Sequence, residues 1–255
     1  MIWEPVYLIV LGIVFLSTLT QSTFGFGNAL VAMTMLELFL PVSLVNPLVA
    51  LVSFTVSFLI VLSDWRDIQL QGTSFFIVSS LIGVPVGIFW IYHAPEGLIK
   101  GILGVLIMAF SLFCLNKPRQ QWLTNDKLSG VFGVGSGMLG GAYNTYGPLL
   151  VMYGTLRGWS RDHFRATLQG CFLPTSVLIL VIHACSGWWT TQVVSLFLYS
   201  FPFAVAGMLL GSYLAKRLKK DHFVRYVYLL LFCLGASLVV RVCTILLNEN
   251  NTHSS

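Results

Sequence analysis

Apolar residues follow one another along this chain in long runs, and polar residues are confined to short connections between them. Runs of about twenty residues are what an α-helix needs to cross a hydrocarbon core roughly 30 Å thick. The pattern predicts spans near residues 6–26, 42–63, 73–92, 97–115, 128–152, 163–183, 191–214 and 223–247. The class is therefore an all-α integral membrane protein with about eight transmembrane helices, because lipid admits only backbones that satisfy their own hydrogen bonds. The short alternating segments of an outer-membrane barrel are missing. No Lys or Arg precedes the first run, which continues past signal-peptide length, so it is expected to persist as the first span.

Two segments are too long for one crossing. The run from Val6 to Leu40 would be about 50 Å long as a straight helix, well beyond a tilted span. It must break, and Gly25-Phe26-Gly27 within "QSTFGFGNALVAM" (21–33) is where it can. The segment from about 128 to 156 has the same excess and its own breakers, "GVGSGMLGGAYNTYGPLL" at 133–150. The correspondence predicts two transmembrane repeats, 1–120 and 121–255, each of four helices with one glycine-broken. An offset of 114 residues lays Gly27 on Gly141 and Ser22 on Ser136. Four crossings per half predict parallel repeats, whereas an odd number makes them inverted.

Non-helical backbone at membrane depth is tolerated only where protein buries it or a cavity lies beside it. After the first break Asn28 is expected near the N-cap of a half-helix whose free N–H groups face the break. Such an end attracts anions, and glycine lets a ligand approach the backbone. Gly140, Gly141 and Asn144 offer the same in the second half. Two facing ends predict an anion site near the midplane, formed by Gln21, Gly25, Gly27, Asn28, Gly140, Gly141, Asn144 and Pro148. The competing reading of the same glycines is close helix packing, which "GVGSG" at 133–137 would equally serve.

Arg165 and Gln169 lie one turn apart on one helix face and join the candidate site. Arg165 either snorkels to the surface or supplies positive charge to an anion path. Glu37, the only carboxylate inside a predicted run, sits close to Pro41 and is expected at the outer interface. His183 precedes "CSGWW", whose tryptophans mark an interfacial belt. Arg241 pairs within the bundle or snorkels, and Pro85, Pro174 and Pro202 are read as kinks.

Composition closes off other classes. Of the 255 residues 56% are hydrophobic and 9% charged, with mean hydropathy +0.85, so no soluble domain remains. The net charge of +5 sits mainly in loops and bears on orientation and anionic lipid rather than nucleic acid. Loops after the first, third, fifth and seventh spans hold Lys100, Arg157, Arg161, Arg165, Lys216, Arg217, Lys219, Lys220 and Arg225. The other side holds Arg66, Lys117, Arg119 and Lys127. The larger set is assigned to the cytoplasm, which puts both termini outside. Cys114, Cys171, Cys185, Cys233 and Cys243 are scattered and read as buried small hydrophobes, so no metal or disulfide is expected. Neither HExxH nor a pair of intramembrane aspartates nor GxSxG with a His partner is present, and the phosphate-loop fingerprint is missing too. No enzyme activity and no cofactor is expected.

The stretches "GFGNALVAMTMLELFLP" and "GGAYNTYGPLLVMYGTLRGWSRDHFRAT" resemble the two signature regions of the TauE/SafE family of sulfite and organosulfur-anion exporters. The resemblance covers essentially the whole chain. Gly25, Gly27, Asn28, Gly141, Asn144 and Pro148 fall on its motif, while Thr34 stands where the family usually has proline. It implies a multi-pass protein of the cell inner membrane that exports a small anion such as sulfite, sulfoacetate or a related sulfonate. The partners expected are that anion, membrane lipids and a second copy of the chain, and nucleic acid is not among them. With no intramembrane Asp, export is expected to draw on the inside-negative potential, about 2.3 kcal/mol per charge per 100 mV. The rival reading is a membrane scaffold or assembly factor whose breaks serve packing alone.

Overall fold

The computed structural model describes residues 4–68, 73–91, 127–159 and 161–217, with parts of 101–115 and 225–244. Every regular element among them is helical. In order they are α1 (Glu4–Phe24), α2 (Asn28–Leu36), α3 (Val42–Asp64), a 3-10 turn (Trp65–Asp67), α4 (Ser74–Ile91), α5 (Lys127–Tyr143), α6 (Gly147–Leu156), α7 (Arg161–Cys185) and α8 (Thr191–Arg217). Four stretches are long and apolar enough to cross a membrane: Val6–Phe24, Val42–Asp67, His163–Cys185 and Thr191–Arg217. The apolar stretches of α4, α5 and α6 are shorter. The spans expected at 97–115 and 223–247, with Arg241, lie mostly outside the described residues.

The two overlong segments break where expected but do not continue across as single spans. Each folds back on itself. In the second, Ser136 of α5 donates to the Tyr146 carbonyl at 2.7 Å, and Phe132 of α5 packs on Tyr153 of α6 with ring centroids 5.9 Å apart. Early α5 therefore meets late α6, so the pair is a hairpin. In the first, Val10, Ile13 and Val14 from early α1 share a buried cluster with Met33 and Leu36 from late α2 and Val45 of α3. The predicted span 128–152 is thus two antiparallel helices, and the two arms of each hairpin leave by the same end of the bundle.

Around the hairpins, α1 packs on α8, α4 on α5, and α3 on α7. Small residues set the closest approaches. A Cβ on Gly133, Gly137 or Gly141 of α5 would run into the backbone of Phe76, Ser80 or Val84 of α4. On α8, a Cβ at Gly211 would lie 2.6 Å from the Leu19 carbonyl of α1. Small-residue seams of this kind let membrane helices gain van der Waals contact where lipid supplies no hydrophobic drive. The "GVGSG" stretch therefore lies in a helix contact. Gly141 also falls inside α5, not at its break, so the 114-residue pairing with Gly27 does not match the elements. Asn28 and Gly147 open the half-helices, and Val42 and Arg161 the helices that follow, 119 residues apart in both cases.

The hairpins also change the grouping of basic residues. Arg165 pairs with Asp64, and His163 Nδ1 lies 2.8 Å from the Asp67 carbonyl, which puts the end of α3 beside the start of α7. Arg66 thus shares an end with Arg161 and Arg165. Arg157 donates to Tyr153 Oη at 3.0 Å, and Tyr153 stacks on Phe76 and packs against Phe132 near the starts of α4 and α5. Lys127 opens α5 at this same end. Lys216 and Arg217 close α8 one turn beyond Ser212, which Arg165 also contacts. The predicted separation of Arg66 and Lys127 from the other basic residues is corrected. The cause is parity, because each broken segment is a return and not the crossing that its length predicts.

Candidate functional site

α1 ends at Phe24 and the chain turns through Gly25 (φ 88) and Gly27 (φ 101) before α2 begins. A side chain in this left-handed region places Cβ too near the following carbonyl, so glycine serves at both positions. The N-cap of α2 is Gly27, with no side chain capping it, and Asn28 is the first helical residue. Asn28 thus stands next to the N-cap as expected, and its Nδ2 reaches across to Ser53 Oγ of α3 at 2.8 Å. The Asn28, Ala29 and Leu30 amides precede the first i−4 bond of α2, from Val31 N to the Gly27 carbonyl.

In the second hairpin the turn residue is Asn144, the one non-glycine with positive φ (54) among the described residues. Its amide nitrogen donates to the Gly140 carbonyl at 2.8 Å, and its side chain donates to the carbonyl and Oδ1 of Asn46 on α3. That links the second hairpin to a helix of the first half. α6 then starts at Gly147 with Pro148 in its first turn, where a missing N–H costs nothing.

The starts of α2 and α6 meet at one cavity. Its wall includes Gln21, Gly27, Asn28, Asn144 and Pro148 of the predicted residues. Phe26, Ser53, Tyr146 and Phe172 also line it. Tyr146 and Phe172 are packed ring to ring, with centroids 4.5 Å apart. Half-helix N-termini, three carboxamides and the hydroxyls of Ser53 and Tyr146 make a neutral surface, and the free first-turn amides and helix dipoles favour negative charge there.

The other predicted residues lie outside this wall. Gly25 packs on Arg165 and Leu168 of α7, Gly140 on the Tyr146 ring, and Gly141 on Val84. Gln169 is fully buried and donates from Nε2 to the Gly25 carbonyl at 2.9 Å. Its Oε1 accepts from Ser57 at 2.7 Å and from Gln21 Nε2 at 3.1 Å. Arg165 neither snorkels nor faces the cavity. Its guanidinium joins three helices through Asp64 on α3, the Ser22 carbonyl on α1 (2.8 Å) and Ser212 on α8 (3.1 Å). Asp64, the last residue of α3, had fallen one residue beyond the predicted span, so the acid partner of Arg165 was missed. Ser53, Ser57 and Asn46 were missed too, because isolated Ser and Asn in an apolar run carry no signal of which face they occupy.

His183 is buried at the end of α7 and stacks on Trp188 at 4.8 Å, while Glu37 is half-buried at the C-cap of α2. Cys171 is buried, but Cys185 and Cys233 are exposed, contrary to the expectation of burial for all five. No group of three metal-ligating side chains occurs among the described residues.

Long apolar helices, seams of small residues and a cavity between two broken segments together define an α-helical integral membrane protein. A family model described as sulfite exporter TauE/SafE matches residues 10–238, nearly the whole chain. The chain belongs to the TauE/SafE family, a family of membrane transporters. Neither curated proteins nor solved structures give a match.

Proposed function

We propose that this protein carries a small anion across the cell inner membrane, exporting sulfite or an organosulfur anion, with the cavity between α2 and α6 as its binding site. One observation carries the reading: two half-helices from different parts of the chain begin at the same cavity. Unwound segments at the centre of a bundle, with half-helix N-termini aimed at anionic groups, are a recurrent way to bind substrate in secondary transporters. The family's description supplies the sulfur anion. In this reading Asn28, Asn144, Gly27, Pro148 and Gln21 contact substrate, while Gln169 and Arg165 hold the surrounding helices.

We further read the chain as two halves, 1–120 and 121–255, inverted relative to one another. The 119-residue interval and the reciprocal packing support this, since α1 meets α8 as α5 meets α4. In each half the hairpin returns to its own side, so that with the spans expected at 97–115 and 223–247 each half crosses an odd number of times, and the first hairpin opens toward the end opposite the second. The basic end is cytoplasmic, which keeps the N-terminus outside. Rocking of the halves about the cavity then exposes it alternately, and the inside-negative potential drives a bound anion outward.

The test is flux of sulfite, sulfonates, sulfate and small carboxylates from proteoliposomes under an imposed potential. Wild type is compared with Asn28→Ala and Asn144→Ala. Potential-dependent flux that falls about tenfold in Asn28→Ala, the equivalent of one lost hydrogen bond, is the expected result. Folded protein that moves none of these anions would reject the reading and favour the scaffold alternative.

A further inference from the structure

Resting on the anion-site reading, we propose that the cavity selects a singly charged oxyanion that carries its own hydrogen-bond donor, an O–H or N–H, with Gln21 Oε1 as the acceptor that recognises it.

The orientation of Gln21 follows from a chain of bonds that leaves no choice. The Gly25 carbonyl can only accept, so the Gln169 group 2.9 Å from it must be the NH₂. Gln169 Oε1 is then the end that faces Ser57 and Gln21. Because that oxygen can only accept, the Gln21 group 3.1 Å away must be its NH₂, which also lies 3.1 Å from Ser57 Oγ. Ser57 donates to Gln169 and accepts from Gln21, so every member of the network is consistent. What remains is Gln21 Oε1, on a residue only 3% exposed that lines the cavity, with no partner among the described residues.

A buried carbonyl oxygen without a donor is unfavourable, and beside an anion it faces lone pairs with lone pairs. A fully deprotonated oxyanion leaves that clash in place. An anion with an O–H or N–H relieves it, while its charged oxygens face the amides of α2 and α6. Asn28 Oδ1 is also unpartnered, but it does not discriminate. The Asn28 carboxamide meets only the Ser53 hydroxyl, which can donate or accept, so that amide can turn and offer its NH₂ to the cavity. Gln21 cannot.

Binding to full-length detergent-purified protein would be measured by calorimetry for two pairs of monoanions that differ by OH against CH₃. The pairs are isethionate against propane-1-sulfonate, and glycolate against propionate. The expected result is that the hydroxylated member binds about tenfold more tightly, and that Gln21→Met brings the ratio close to one. Equal affinities in the wild-type protein overturn this proposal while leaving the anion site standing. A ratio that persists in folded Gln21→Met removes Gln21 as the acceptor. Binding of neither member of either pair, by protein shown to be folded, overturns both this proposal and the anion reading. The wild-type ratio decides the matter even if Gln21→Met fails to fold.

Discussion

Asn144 holds a left-handed backbone and uses its side chain to fasten α3, two tasks that no other residue type combines well. Asparagine tolerates this region better than other non-glycine residues, and its carboxamide supplies the donor that Asn46 requires. Asn144→Ala should therefore lose both backbone compatibility and the link to α3, lowering stability by about 1–3 kcal/mol. Asn144→Gly should recover the backbone part only, and thermal unfolding in detergent would show the two variants in that order. Asn28 differs, since its carboxamide bonds only Ser53 and its oxygen has no partner among the described residues. Asn28→Ala should change the melting temperature little while reducing flux, and a large drop in melting temperature would point instead to a packing role.

Among the elements, α5 shows how the two readings of a glycine cluster divide. Gly133, Gly137 and Gly141 face α4 and permit contact between backbones, whereas the residues after Tyr143 turn the chain and begin the half-helix. Gly137→Leu should prevent α4 and α5 from closing and yield aggregated protein by size-exclusion chromatography. Gly12→Ala, on α1 with no atom within 4 Å of the added carbon, should remain monodisperse. The sequence showed both glycine clusters but not their division of labour. Composition places glycine at a seam and at a break alike, and only the direction of each Cα–Cβ bond separates them.

For the molecule as a whole, Arg165 matters more as a strut than as a substrate contact. Its bonds to α1, α3 and α8 close the basic end, and one turn inward the Gln169–Ser57–Gln21 network separates that layer from the cavity. Asp64→Asn removes the ion pair and should open this route. In a cysteine-free background, a Ser53→Cys probe should then react several-fold faster with an impermeant thiol reagent applied at the basic face. An unchanged rate would mean that the strut does not limit access. The hairpin topology has its own test. Single cysteines at Trp65 and Lys216 should label from one face of sealed vesicles, and one at Phe39 from the other. Labelling of Trp65 and Lys216 from opposite faces would contradict the hairpins.

The sequence by itself determined the solvent and the class. Hydropathy and span length leave only a helical membrane protein, and glycine inside overlong apolar segments requires two breaks. Those are local or additive properties, written in composition and run length. It also brought forward Gln21, Gly27, Asn28, Asn144 and Pro148, because polar and helix-breaking residues at membrane depth are costly unless something faces them. The tertiary structure alone decided that each broken segment returns, since one chain of the same length can turn back or cross with identical local hydropathy. That choice set which basic residues share an end, and it brought α3, α6 and α7 around the first break. Asp64 met Arg165, and Gln169 fixed Gln21, through pairings across 101 and 148 residues of chain that no local pattern encodes. Such contacts are selected by packing of the whole bundle, where burying a polar group is tolerable only once its distant partner has arrived.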